Sequence, residues 1–184
     1  MAVAASHLGV AALLGVQLAA FLAVLLWASS LHKLIQRGRG QTAIHDFAGV
    51  PRRLAPFALA AVAAAEVLAG LLLWLPPSRV AGAALAALIW GGYLTLILRA
   101  IAQGRRDADC GCSFGAAQRP LGAYQVGRNA LLTGAALLLA AASAAGETGS
   151  IIAQQVLAAL ALLALYGALD QVMSLSPPRA GVLS

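Results

Sequence analysis

Long apolar runs separated by short polar stretches dominate the pattern of hydrophobic and polar positions along the chain. Five runs can be marked, at about 8–33, 54–75, 80–100, 121–145 and 151–173. A helix needs about 20 apolar residues to cross a hydrocarbon core roughly 30 Å thick, and each run is long enough. The pattern predicts an all-α membrane protein, folded as a compact bundle of about five transmembrane helices.

The stretches between the runs carry residues that end helices. Pro76-Pro77 ends the second run, and Gly146 to Gly149 separates the fourth run from the fifth. A polar segment at 104–120 separates the third run from the fourth. We therefore expect a single polytopic membrane domain over 1–184, with 104–120 as its polar loop.

Composition excludes a soluble protein of this size. Hydrophobic residues make up 61% of the chain, charged residues 10%, and the mean hydropathy is +0.87. That leaves too little polar surface to cover a soluble globule, so the main partner of the surface is the lipid bilayer. The net charge is +6, but the basic residues are scattered between apolar runs. No nucleic-acid partner is predicted.

The basic residues predict the orientation in the membrane. If five helices cross the bilayer, only Arg79 lies on the face opposite the other basic residues, which are Lys33, Arg37, Arg39, Arg52, Arg53, Arg99, Arg105, Arg106, Arg119, Arg128 and Arg179. Lys and Arg concentrate in cytoplasmic loops. The N-terminus is therefore predicted outside, and the C-terminus and the 104–120 loop on the cytoplasmic side.

The chain has two cysteines, Cys110 and Cys112, separated only by Gly111. Gly111 would allow the tight backbone curl that a disulfide between them requires, and so small a ring is strained. Strained or exposed disulfides are labile and suit exchange better than structural cross-linking. Three interpretations stay open: a redox-active pair, a metal site that would need two further ligands such as His32 and His45, or no chemical role.

Glu66 is the only acid well inside an apolar run, and the predicted topology places it near mid-membrane. A carboxylate at that depth is costly, so it marks a functional hypothesis. Glu66 is either a proton carrier or polar ligand, or a structural group that hydrogen-bonds to a neighbouring helix.

Two further polar sites lie near helix ends. Arg128 and Asn129 come within two turns of the cysteine loop, and they either extend to the interface or face inward to support that loop. His32 and Lys33 end the first run and are interpreted as an interfacial anchor. No Walker loop, zinc-protease motif or dinucleotide fingerprint is present.

These features together resemble the methylamine utilisation protein MauE family and its DoxX-related membrane relatives. The resemblance rests on the five runs, His32 to Leu34, Glu66, the stretch DCGCSFG and RNALL from Arg128 to Leu132. The family's usual loop reads Cys-Gly-Cys-Phe-Gly, whereas this chain has Ser113 before Phe114 and Gly115. The resemblance implies a DoxX-like four-helix core plus one helix, in a bacterial inner membrane.

The resemblance also implies a function in methylamine degradation. MauE-like proteins are associated with processing, transport or maturation of the small β subunit of methylamine dehydrogenase, beside a thioredoxin-like MauD-type partner. Cys110 and Cys112 would be a redox-active pair, with Gly111, Phe114, Gly115, Arg128, Asn129 and Glu66 in support. No catalytic activity is established for such a role. The alternatives are a non-catalytic scaffold for the thioredoxin-like partner, or a DoxX-type oxidoreductase subunit that binds a quinone as its cofactor.

Overall fold

The computed structural model describes residues 2–105, 121–142 and 152–172, and every regular element in these ranges is helical. The α-helices are α1 (Ala2–Ile35), α2 (Arg37–Ala48), α3 (Ala55–Trp74), α4 (Arg79–Ala102), α5 (Ala123–Ala142) and α6 (Ile152–Val172). Their sequences are rich in Ala and Leu, which have high helix propensity. The predicted all-α class is confirmed.

The apolar exterior identifies a membrane protein. Three stretches in the described part are long and apolar enough to cross a bilayer, namely Leu13–Ile35, Ala55–Trp74 and Pro76–Ala102. Large apolar side chains are exposed around the bundle, among them Leu14, Phe57, Leu88, Leu131 and Leu138. Lipid tails cover such a surface, whereas water would not tolerate it. Spanning by α5 and α6, and a single domain with a loop at 104–120, stay predictions.

Four helices enclose the core. Helix α3 packs between α1 and α4, α5 packs against α4 and α1, and α6 lies against α1. The central cluster combines small residues such as Ala23 and Ala86 with Leu22, Leu26 and Leu73, all fully buried. Helices in lipid associate through close packing, which small side chains permit. The bundle is therefore held by close helix contacts, with α6 added to the outside.

A tight turn joins α3 to α4. The 3-10 helix Pro76–Ser78 fills the turn, since proline cannot continue α3. The Ser78 hydroxyl donates to the carbonyl of Leu72 at 3.0 Å, and Arg79 Nε donates to that of Leu73 at 3.2 Å. These bonds satisfy carbonyl groups at the end of α3. Arg79, the basic residue that the sequence predicts on the opposite side of the membrane from the others, thus has a structural role.

Helix α2 is an element that the hydrophobic pattern did not predict. Its sequence RGRGQTAIHDFA contains two glycines and several polar residues, which disfavour an isolated helix. Packing supplies the stability instead, because Ala43 is buried and the backbone at Gly40 lies against Leu59 of α3. A Cβ atom at Gly40 would come within 2.8 Å of a Leu59 methyl group. The helix therefore depends on tertiary contacts with α3.

The contact between α1 and α3 also requires a glycine. The Trp27 indole packs on the α3 backbone at Gly70 and donates from Nε1 to the carbonyl of Val67 at 3.2 Å. Trp27 also contacts Trp74, with ring centroids 5.8 Å apart. A Cβ atom at Gly70 would overlap the indole ring.

The variant Gly70→Ala should therefore lower the free energy of unfolding by about 1–3 kcal/mol, since overpacking forces the ring to move. Titration with a denaturing detergent, followed by circular dichroism, measures the change. The matched control is Gly134→Ala on α5, where a Cβ atom meets nothing within 4 Å. An equal loss in both variants would contradict the assigned contact.

Candidate functional site

Glu66 of α3 is the centre of a buried polar cluster. Its side chain has no solvent exposure, and one carboxylate oxygen, Oε1, accepts three hydrogen bonds. The donors are Ser29 Oγ at 3.0 Å, Lys33 Nζ at 2.8 Å and Tyr93 Oη at 2.8 Å. Glu66, which the sequence singled out as a polar group within an apolar run, is therefore a buried carboxylate with three hydrogen-bond donors.

The donors come from two helices that flank α3. Ser29 and Lys33 are four residues apart on α1 and therefore share one face of that helix. Lys33 Nζ donates to Ser29 Oγ at 2.6 Å, so α1 presents them as a unit. Tyr93 comes from α4 on the other side. A single oxygen atom thus joins α1, α3 and α4.

Pairing of opposite charges explains why Lys33 and Glu66 can both be buried in this cluster. Lys33 forms an ion pair with Glu66, and the Lys33 side chain is only 11% exposed. Its ammonium also lies 5.2 Å from the centroid of the Tyr93 ring, within the range of a cation–π contact. Burial of two charges is costly unless pairing and hydrogen bonds compensate. The interpretation of Lys33 as an interfacial anchor was therefore wrong: its charge points inward.

Arg128 and Asn129 lie beside this cluster. A small pocket of about 30 Å³ is lined by Ser29, Lys33, Tyr93, Arg128 and Asn129, together with four apolar or aromatic residues. Asn129 is buried, and its side-chain amide donates to the carbonyl of Gln125 at 2.8 Å within α5. Support of the cysteine loop by these residues stays a prediction.

A larger cavity lies on the other side of Lys33 and Tyr93. It has a volume of about 260 Å³ and is lined by residues of α2, α3 and α4, with Lys33 at the end of α1. Apart from Lys33 and Tyr93 its lining residues are apolar, including Phe47, Val62 and Ile97. Lys33 and Tyr93 therefore separate an apolar cavity from a polar pocket.

The cysteines themselves lie outside the described residues. This holds for Cys110, Gly111, Cys112, Phe114 and Gly115, whose predicted roles are not tested by the structure. Their metal-site alternative is likewise untested. Among the described residues, no three His, Cys, Asp or Glu side chains form a group that could hold a metal ion.

The chain on either side of 106–120 is described, and it is anchored to the bundle at one place. Ile101, before that stretch, and Leu121, after it, belong to one apolar cluster with Ile97 and Phe47. The Arg105 guanidinium donates to the backbone carbonyl of Asp46, at the end of α2. Phe47 and Ile97 also line the apolar cavity. Both anchors of the cysteine segment thus lie beside that cavity.

Sequence reasoning found Glu66, Arg128 and Asn129 but missed Ser29 and Tyr93. A serine or tyrosine within an apolar run is common and gives no signal by itself. The signal that the sequence does contain is Glu66 itself, because a buried acid needs a partner that neutralises its charge. A search for a base on a helix packed against α3 would have indicated Lys33.

Comparison with known proteins adds the family. A family model described as methylamine utilisation protein MauE matches residues 8–142, which run from α1 to the end of α5. The chain belongs to the MauE family. No curated protein and no solved structure matches it. Membership confirms the resemblance and implies an involvement in methylamine utilisation at the membrane.

The variant Glu66→Gln should destabilise the MauE-family bundle by about 3–5 kcal/mol, because it leaves the Lys33 charge buried without a partner. The double variant Lys33→Met with Glu66→Gln should regain most of that loss. Unfolding in mixed micelles is measured for the native chain, for Glu66→Gln, for Lys33→Met and for the double variant. The control Tyr93→Phe removes one hydrogen bond to a charged acceptor and should cost about 1.5–3 kcal/mol. Additive effects of the two substitutions at 33 and 66 would argue against the ion pair.

Proposed function

We propose that this MauE-family protein is a thiol-redox accessory protein of the inner membrane that matures the small β subunit of methylamine dehydrogenase. The thiol pair is Cys110 and Cys112, which are the two cysteines of the chain. Family membership over residues 8–142 carries the proposal, because that range contains the thiol pair together with Glu66, Arg128 and Asn129. The thioredoxin-like MauD-type protein is the proposed partner.

The proposed chemistry is thiol–disulfide exchange. A thiolate of one pair attacks a sulfur of the other pair's disulfide, and a mixed disulfide then resolves. One pair gains two electrons and two protons, and the other pair loses them to become a disulfide. The proposal applies to Cys110 and Cys112 on one side and to cysteines of the partner or client on the other.

The surroundings of the thiol segment support such a role. The residues on either side of 106–120 are Arg105 and Leu121, and both contact the bundle beside α2. Arg105 and Arg106 precede the pair, and their positive charge favours the thiolate that performs exchange, whereas Asp107 and Asp109 oppose it.

The buried cluster supports the fold of this site. Three donors on Glu66 Oε1 hold α1, α3 and α4 together next to the cavity. We assign Glu66 the structural alternative, since its carboxylate is already tied to Lys33. Arg128 and Asn129, at the start of α5, would position the returning end of the thiol segment.

The variants Cys110→Ser and Cys112→Ser should each abolish accumulation of active, disulfide-complete dehydrogenase. Insertion of the accessory protein in the membrane should be unchanged, because serine is similar in size. Dehydrogenase activity and the disulfide state of its small subunit are the measurements. Ser143→Ala, a substitution at a hydroxyl residue beyond the thiol segment, serves as the control. Normal maturation with the double serine variant would rule out exchange and leave the scaffold alternative.

Orientation can be tested on the same thiols. The charge pattern predicts Cys110 and Cys112 on the cytoplasmic side, whereas a periplasmic client would be on the other side. A membrane-impermeant thiol reagent should therefore label the pair in inverted vesicles but leave intact spheroplasts unlabelled. Reduction before labelling separates an oxidised pair from a protected one. Strong labelling of spheroplasts would reverse the predicted topology and bring the thiols to the client's side.

A further inference from the structure

A polar groove of about 420 Å³ lies along the face of α2 that is opposite the apolar cavity. Four α2 residues line it at spacings of three and four, which place them on one face of the helix: Gly38, Gln41, Thr42 and His45. Arg52, from the connection to α3, and Ala55, the first residue of α3, complete the lining. The α2 residues that line the apolar cavity begin at Gly40, about half a turn away. Helix α2 is therefore amphipathic, and its polar face forms one wall of the groove.

The groove is basic. No Asp or Glu lines it, and no carboxylate among the described residues forms an ion pair with the exposed Arg52. Between positions 37 and 53 the chain has one acid, Asp46, and four arginines, namely Arg37, Arg39, Arg52 and Arg53. The guanidinium group of arginine offers five N–H donors in a planar arrangement that matches the oxygens of a phosphate. The groove therefore fits an anionic group.

Internal hydrogen bonds hold two of the polar side chains that line the groove. His45 Nδ1 donates to the carbonyl of Val50 at 2.8 Å, since a carbonyl oxygen can only accept. Thr42 Oγ1 donates to the carbonyl of Gly38 at 3.1 Å. The Gln41 amide has no hydrogen-bond partner within the described ranges. Gln41 and Arg52 are therefore the side chains with donors left for a ligand.

The groove lies where the lipid-facing surface begins. Leu54 and Phe57 follow Arg52 in the chain, and they are 47% and 72% exposed. Helix α3, which starts between them, is long and apolar enough to cross a bilayer. Basic residues that flank such a helix lie at the depth of the lipid head groups. A phospholipid joins a phosphate to apolar tails in the same order, whereas a free phosphate or an acidic peptide would leave the apolar residues uncovered.

We propose that this groove binds the phosphate of an anionic phospholipid. Arg52 and Gln41 donate to the phosphate oxygens, and the acyl chains lie along Leu54 and Phe57. The site is separate from the apolar cavity, because the two lie on opposite faces of α2. The proposal concerns lipid binding alone and does not depend on the thiol function.

Binding is tested with dioleoylphosphatidylglycerol as the probe. Dioleoylphosphatidylcholine, which has the same tails and no net charge, is the control lipid. The purified full chain in a neutral detergent is titrated with each lipid, and native mass spectrometry counts the lipids retained per chain. We expect one phosphatidylglycerol per chain, with an apparent Kd at least tenfold lower than that of phosphatidylcholine. Neither glycerophosphoglycerol, which is the head group without tails, nor inorganic phosphate should displace the lipid at tenfold excess.

Matched variants locate the site. Arg52→Gln removes the guanidinium that lines the groove and should raise the apparent Kd at least fivefold. Arg53→Gln removes an equal charge from an exposed residue that does not line the groove, and should leave the Kd within twofold. Gly38→Leu puts a side chain into the groove and should also weaken binding at least fivefold, since a Cβ atom there meets nothing within 4 Å and the helix can keep its place. Its control is Gly92→Leu, at an exposed position of α4 with the same free space.

Each outcome decides the proposal. Equal retention of the two lipids overturns the anionic head group, and displacement by glycerophosphoglycerol or inorganic phosphate overturns the lipid as the source of the phosphate. Equal weakening by Arg52→Gln and Arg53→Gln indicates attraction to surface charge only and overturns the groove. The double serine variant at 110 and 112 should retain the lipid as the native chain does. Loss of lipid binding therefore leaves the thiol proposal standing, and loss of maturation in the serine variants leaves the lipid proposal standing.

Discussion

The ion pair between Lys33 and Glu66 is the constraint on which the rest of the bundle depends. In hydrocarbon, an unpaired charge has no water to solvate it, so the helices must bring its partner to it. One carboxylate oxygen accepts from α1 twice and from α4 once, which fixes the register of three helices at the same depth. Packing of alanines and leucines brings the helices together, and the shared carboxylate oxygen adds directional contacts among three of them.

This junction also divides the interior by polarity. Lys33 and Tyr93 face a small polar pocket with Arg128 and Asn129 on one side and an apolar cavity beneath α2 on the other. Helix α2 owes its place to the same region, because Gly40 and Phe47 pack where α3 and α4 meet it. The cavity and the anchors of the cysteine segment therefore lie beside α2, and the polar cluster adjoins the cavity through Lys33 and Tyr93.

Three features could be predicted from the sequence because each depends on local composition. They are the helical class, the turn at Pro76-Pro77 and the importance of Glu66. Lys33 was misinterpreted because its partner lies 33 residues away and only the packing of α1 on α3 reveals the pair. Helix α2 was missed for a related reason: its glycines argue against helix locally, and its stability comes from contacts with α3. The role of Tyr93 could not be predicted, since it depends on which acceptor its hydroxyl contacts in the folded bundle.

The fixed positions of Ile101 and Leu121 have a consequence for evolution of the thiol segment. Since the bundle holds both anchors through Phe47 and Ile97, the length between them can change without disturbing helix packing. Substitution or insertion between the two anchors therefore leaves the anchoring contacts in place, and selection can act on the sequence of this segment separately from the helix packing.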